Sequence, residues 1–307
     1  MVNEKTVFAV DIGGSKLLCG FVKSCGTIID TEKTELQNNI TPNMLEEYIV
    51  DSYKKLSARN KDVPPVACGV TIPGVADAKS GKWVYACFSG ISDYPISERL
   101  RNILNLPIYI ENDANANAWA EKVFGSCKDT DDFLWLTVSN GVGGGLVLGG
   151  RLYVGQCFGA GELGHLVVED QAPLLCPCGH YGCLEAMAAG PAISKRFEML
   201  TGEKKSAAEI SELAKAGDRF AVEVIDKTAE YIGKALGKTA CVLNLSKYVL
   251  GGGVMQSFEL LEEKINLAFR REAFAKPNES AKIEKTALGY NAGLLGAAAL
   301  AISPPNE

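Results

Sequence analysis

The chain has 307 residues, 47% hydrophobic and 22% charged, the make-up of a soluble globular protein of roughly two domains and not of a disordered one. A net charge of −6, with no local run of Lys and Arg, gives no electrostatic footprint for nucleic acid or an anionic membrane, and no apolar stretch reaches membrane-spanning length. The start, "MVNEKTVFAVDIGG", lacks a signal-peptide core, so a cytoplasmic location is expected; there, ten cysteines read as buried hydrophobes, metal ligands or nucleophiles and not as a disulfide framework.

In chain order, "TVFAVDIGGSKLLCGFV" predicts a strand hairpin with a glycine tip. "PNMLEEYIVDSYKKLSAR" carries Met44, Leu45, Tyr48, Ile49, Tyr53 and Leu56 at helical spacing behind the starter Thr41-Pro42. "PPVACGVTIPG" reads as a buried strand, "YPISERLRNIL" as a short helix and "LPIYIEND" as another strand, an order that implies a layered α/β domain. From residue 131 the pattern recurs, "DDFLWLTVSNGVGGGLVLGGRLYVG" being again strand, glycine-rich tip and strand, so a pair of similar domains is expected. Singly placed cysteines in apolar runs, such as Cys19, Cys68 and Cys241, are expected in the core.

Three glycine-rich stretches have to be weighed. "SNGVGGG" at 139–145 fits neither the dinucleotide fingerprint nor the P-loop spacing and could be only a tight hairpin. "GKALGKT" at 233–239 ends like a P-loop, but three residues separate its glycines where four are needed, and it sits inside the long amphipathic pattern "DRFAVEVIDKTAEYIGKALGKTA"; it is rejected. "YVLGGGVM" at 248–255 ends a strand in three glycines before the helix "MQSFELLEEKINLAF", a geometry that lets backbone approach a flat ligand and points helix amides at an anion.

"GHLVVEDQAPLLCPCGHYGC", residues 164–183, holds both histidines and three of the ten cysteines. Cys176, Cys178 and Cys183 give C-x-C-x₄-C, which with one imidazole makes a Cys₃His set suited to closed, tetrahedral, structural zinc. His165 and His180 compete as the fourth ligand. In "ENDANANAWAEKVFG" at 111–125, Asn112-Asp113 ends a strand and opens an alanine-rich helix, and Asp113 taken alone reads as a helix cap.

Together "DIGGSK", "ENDANA", "NGVGGG", "GAGELGH", "CPCGHYGC" followed by "LE", and "LGGG" stand in the order and spacing of the ROK family, the repressor, open reading frame and kinase group, which the chain resembles from residue 6 to about 300, including the closing "NAGLLGAAAL" helix. The resemblance implies an α/β, two-domain actin-like (hexokinase-type, ribonuclease H-like) ATPase fold with an interdomain cleft. The small domain would cover residues 1–114 and be completed by a helix at about 292–307; the large one would cover 115–291 and carry the zinc knuckle at 165–183. The implied activity is ATP-dependent phosphorylation of a hexose, glucose first, with N-acetylmannosamine, fructose or another hexose behind it. Asp113 would be the base that takes the proton of the sugar hydroxyl, with Asn112, Glu162, His165 and Glu185 as further sugar contacts. Gly13, Gly14, Ser15 and Lys16, with Asn140, Gly141 and Gly143, would hold the phosphates of ATP and its Mg²⁺, and Gly252 and Gly253 the adenosine. The family pattern favours His165 over His180 as the zinc ligand, its second ring nitrogen being left for the sugar. A homodimer or homotetramer is also implied.

This sequence departs from the family at two places: "SNG" replaces the usual Gly-Thr-Gly in the second tip, and "ACFSGISDYPI" at 86–96 replaces a Pro-Asn-Leu and tryptophan segment that lines the pocket of many glucose-phosphorylating members. Family members that are repressors carry a helix-turn-helix ahead of the first hairpin, where only five residues stand here, so DNA binding is not expected; a sugar-binding module without activity would lack Asp113.

Overall fold

Alternating β-branched and aromatic residues form β1 (Thr6–Ile12) and β2 (Lys16–Lys23), which pair antiparallel from Ile12↔Leu17 to Thr6↔Lys23. After β3 (Ile28–Glu35) comes α1 (Pro42–Arg59), whose N-cap Thr41 accepts a hydrogen bond from the Met44 amide. Next are β4 (Pro65–Ile72), a small antiparallel sheet of β5 (Val75–Asp77), β6 (Lys82–Ala86) and β7 (Ile91–Tyr94), then α2 (Ile96–Leu104), β8 (Ile108–Asn112) and α3 (Asp113–Val123). The chain continues through β9 (Phe133–Val138), β10 (Val142–Leu148), β11 (Arg151–Tyr153), α4 (Leu184–Ala188), α5 (Gly190–Thr201), α6 (Ala207–Lys215) and α7 (Arg219–Leu243). It closes with β12 (Lys247–Gly251), α8 (Phe258–Glu272), β13 (Lys282–Lys285) and α9 (Ala292–Ile302).

This computed structural model describes residues 4–37, 40–86, 90–172 and 174–305, and it divides into two units. The first takes residues 1–131, 147–160 and 287–307, the second 132–146 and 161–286. Cys87, Phe88 and Ser89 of the 86–96 segment lie outside the described residues.

The first unit is built on the sheet β3-β2-β1-β4-β8, in which β1, β4 and β8 run parallel. Phe8, Val10 and Phe21 share a core with Leu45, Ile49 and Leu56 of α1 and Leu100 of α2. Helix α9 has no polar side chain from Ala292 to Ile302, and an all-apolar helix must be buried on every side. It meets Gly20 and Gly69 of the sheet and, through Gly296, Ala116 of α3.

The second sheet has the order β11-β10-β9-β12-β13, with β9, β12 and β13 parallel. Helix α7 contains the rejected P-loop look-alike, and its glycines have a packing role. A Cβ on Gly233 would stand 2.4 Å from the Ile265 carbonyl oxygen and one on Gly237 2.6 Å from the Glu272 Cβ, so the pair lets α8 lie close against α7. Cys19 and Cys68 are buried as expected, but Cys241 is exposed: it lies in the last turns of α7, with its thiol toward the Glu272 carbonyl oxygen, 3.6 Å away.

The contact of α9 with the sheet gives a direct test. A Cβ at Gly69 would lie 1.7 Å from the Ala297 carbonyl oxygen, so Gly69→Ala must push α9 off β4. Overpacking of this kind costs about 1–3 kcal/mol or more, and the thermal midpoint of the variant, read by circular dichroism, should fall by several degrees. An unchanged midpoint would show that the helix does not bear on the sheet there.

Candidate active site and metal centre

The junction of β8 and α3 brings together Glu111, Asn112 and Asp113. The cap of α3 is Asn112, whose Oδ1 accepts from the amides of Ala114 and Asn115 at 2.9 and 3.2 Å; Asp113 is the first residue inside the helix, so the cap reading of Asp113 is corrected. The Asp113 carboxylate accepts from the Ala114 amide at 2.8 Å and stands in the first turn, where the helix dipole favours an anion. Asn112 also donates through Nδ2 to the Gly74 carbonyl oxygen at 2.8 Å, so its oxygen serves the helix and its second amide hydrogen is what it can offer outward.

Beneath this junction lies Glu111, which the sequence reading passed over. It is 2% exposed and accepts from the Asn112 amide at 2.8 Å and from Asn115 Nδ2 at 3.2 Å, yet burial lifts its pKa to about 7. The buried Asn115 Oδ1 has no partner. Turning that amide over would let a protonated Glu111 donate to its oxygen.

In the first glycine tip, the Gly13 amide closes onto the Lys16 carbonyl oxygen at 2.9 Å, while a Cβ on Gly14 would meet nothing within 4 Å, so the protein itself leaves Gly14 and the exposed Ser15 open to a ligand. Lys16 is engaged with Tyr290: its Nζ donates to the phenol oxygen at 3.0 Å and stands 4.5 Å from the ring centroid. Asp11, also missed from the sequence, is next to last in β1 beside this tip; Thr71 donates to its carboxylate at 2.8 Å and burial raises its pKa.

In the second unit the tip between β9 and β10 exposes Asn140 and is closed by the Ser139 amide on the Gly141 carbonyl oxygen, 2.8 Å. Part of its glycine content is structural, since Gly144 and Gly161 meet backbone to backbone; a Cβ on either would come within 2.5 Å of the other's carbonyl oxygen. Gly252 has φ of +95°, and a Cβ there would strike the Val138 carbonyl oxygen at 2.4 Å, so glycine is required. The amides expected to point at an anion are partly spent: those of Met255 and Gln256 bond Gly252 and Gly253 in a 3₁₀ turn, and α8 begins only at Phe258. Asn140 and Gly253 line a cavity of about 1030 Å³ with Ser139, Gly190, Ser206 and Ser211, all of the second unit.

The same unit gathers His165, Cys176, Cys178 and Cys183, whose donor atoms all lie within 4.8 Å of one another. His180 is outside that set, although its Nδ1 is 3.5 Å from Cys178 Sγ. Cys176 Sγ to His165 Nδ1 and Cys178 Sγ to Cys183 Sγ are both 3.6 Å, close to the edge of about 3.8 Å of a tetrahedron with 2.3 Å metal–sulfur bonds. Hydrogen bonds from His180 pull the Cys178 thiol down to about 6, toward the thiolate that a metal needs. His165 ends a 3₁₀ turn whose cap is Glu162, and its Nε2 faces Glu162 Oε2 at 3.9 Å while Nδ1 faces the thiols. Glu185, in α4 two residues past Cys183, accepts the Val142 amide at 3.0 Å.

Two outcomes follow from this geometry. Metal analysis of the purified protein should find about one ion per chain, lost in Cys178→Ser and retained in His180→Ala; loss in the latter with retention in His165→Ala would reverse the ligand assignment. For Glu111, the folded protein holds a proton that the unfolded chain, at 4.5, gives up. Its contribution to stability is therefore full below about 4.5 and fades as pH rises through about 7. Melting curves from pH 5 to 8 should show this decline in the wild type and a flatter course in Glu111→Gln, whereas equal slopes would mean that the carboxyl is ionised throughout.

The chain matches the ROK family over residues 7–303. A glucokinase of Halalkalibacterium halodurans is 30% identical, over 96% of this chain and 94% of that one. An N-acetylmannosamine kinase of Escherichia fergusonii is 32% identical, over 96% and 98%. A solved ROK family glucokinase from Streptomyces griseus, in complex with glucose and AMPPNP, superimposes with a TM-score of 0.82 at 31% identity, over 96% of this chain and 99% of that chain. The motif resemblance is thereby confirmed: this protein belongs to the ROK family and has the α/β, actin-like fold of its sugar kinases.

Proposed function

We propose that the protein is an ATP-dependent hexose kinase that transfers the γ-phosphate of ATP to a sugar hydroxyl, with glucose as the first acceptor and N-acetylmannosamine as the second choice. The observation that carries the reading is the Asn112-Asp113 pair at the start of α3, together with similarity along nearly the whole chain to kinases of these two sugars. Asp113 takes the hydroxyl proton as the sugar oxygen attacks the γ-phosphorus and ADP departs, a role worth about 10²–10⁴ in rate. The second amide hydrogen of Asn112, with Glu162, His165 and Glu185, meets the remaining sugar hydroxyls.

Gly13, Gly14, Ser15 and Lys16, with Asn140, Gly141 and Gly143, hold the phosphates, with Mg²⁺ entering as part of the nucleotide. Gly252 and Gly253 receive the adenosine, which the cavity at Asn140 and Gly253 is large enough to take. The soft donor set of three thiols and an imidazole suits zinc, which when bound would stiffen the knuckle without entering the reaction. His165 then orients a sugar hydroxyl through the ring nitrogen that faces away from the thiols. Among the described residues no helix is long and apolar enough to cross a membrane, and a cytoplasmic homodimer or homotetramer is the state the family resemblance supports.

An ADP-release assay over hexoses and N-acetylhexosamines tests the acceptor, and glucose should give the highest kcat/KM. In Asp113→Asn, kcat on the best sugar should fall by at least about 10²-fold while sugar and nucleotide still bind by calorimetry. Since Asn112 and not Asp113 caps α3, the melting temperature should hardly change. Near wild-type turnover in Asp113→Asn would remove Asp113 from the chemistry.

A further inference from the structure

Glu185 does more in this fold than face a sugar. Its Oε2 accepts the backbone amide of Val142, the first residue of β10 after the tip, at 3.0 Å. A Cβ on Gly141 would stand 2.7 Å from that same oxygen and 3.6 Å from the carboxyl carbon, so the carboxylate lies against the tip backbone itself. The turn around Asn140 is further closed by the Ser139 amide on the Gly141 carbonyl oxygen, 2.8 Å, and is tied to the start of α5 by the Gly190 amide on the Ser139 carbonyl oxygen, 2.7 Å. Of these three ties only the one to Glu185 uses a side chain.

The other end of this arrangement is equally fixed. α4 is five residues long, and its first amide, Leu184, bonds the carbonyl oxygen of Leu166, next to His165, at 2.9 Å. Glu185 is thus held between the knuckle and the tip, with one oxygen on Val142 and the second left for another donor.

We propose that Glu185 is a positioning residue for the nucleotide, holding the Ser139–Gly141 tip in the shape that receives phosphate, and that it thereby couples sugar binding to nucleotide binding. The coupling rests on the assignment above of Glu185 to the sugar and of Asn140 to Gly143 to the phosphates. A sugar hydroxyl that donates to the free oxygen fixes the carboxylate; the fixed carboxylate fixes the Val142 amide and so the tip. The ordering cost is then met by whichever ligand binds first, and the second binds more tightly by the same factor in either order.

Calorimetry with a non-hydrolysable ATP analogue, first without sugar, tests this on the full-length protein. Glu185→Ala should weaken the analogue by about 3- to 10-fold, the worth of one backbone hydrogen bond, and Glu185→Gln, whose amide oxygen can still accept from Val142, should restore affinity to within about 2-fold. Gly141→Ala, whose new Cβ collides with the carboxylate, should weaken glucose although it lies in the nucleotide tip. In the wild type glucose should tighten the analogue, and in Glu185→Ala that factor should fall to about one. Unchanged analogue affinity in Glu185→Ala, with weaker glucose binding alone, would overturn the proposal and leave Glu185 a sugar contact only. Because the first arm needs no sugar, it still reports on the tip if glucose proves to be the wrong acceptor.

Discussion

The placement of Asp113 depends on how closely α9 approaches its neighbours. An all-apolar helix has no face to give to water, so it must find small residues on two sides at once. On one side are Gly20 and Gly69 of the sheet, on the other Ala116 of α3, met through Gly296. Trp119 of α3 adds a hydrogen bond from its indole N–H to the carbonyl oxygen of Ser303, just past the end of α9. The alanine-rich sequence of α3 is therefore a packing requirement, and the axis it fixes sets where the helix begins and where Asn112 and Asp113 stand.

The second unit uses the same device for different ends. Gly233 and Gly237 bring α7 and α8 together, and Gly144 and Gly161 bring two backbone segments into contact beneath the tip. In each case the absent Cβ positions a neighbour. Gly14, where a Cβ would touch nothing, has no such internal reason. Counting glycines in a motif does not separate these uses; the nearest atom does.

That distinction explains how far the sequence could be read. Elements with strong periodicity were legible nearly to the residue: α1 starts behind Thr41, β8 ends at Asn112, and the P-loop look-alike is interior to α7. The cysteine spacing, with the resemblance, was enough to name a ligand set that the fold brings together. What stayed hidden depends on tertiary contact. Asn112 takes the cap because Gly74, far off in sequence, accepts from its other atom and orients it. Glu111 looked like an ordinary polar residue at a strand end until burial turned it into a carboxyl that favours its proton. The sheet β5-β6-β7 was not foreseen because its strands are only three to five residues long.

The groups nearest the proposed chemistry share one feature: their orientation is set by backbone amides and carbonyls more than by other charged side chains. Asn112 is held by the Ala114 and Asn115 amides and the Gly74 carbonyl, and Glu111 by the Asn112 amide. Backbone partners cannot change rotamer, so a side chain fixed by them loses little further freedom when a substrate arrives. His165 differs, with thiols in place of backbone at its inner nitrogen, and under the proposed reading a metal bound there would supply the rigidity that a peptide group supplies elsewhere. A metal that takes no part in bond making would in this way govern the geometry of the residue proposed to recognise the sugar.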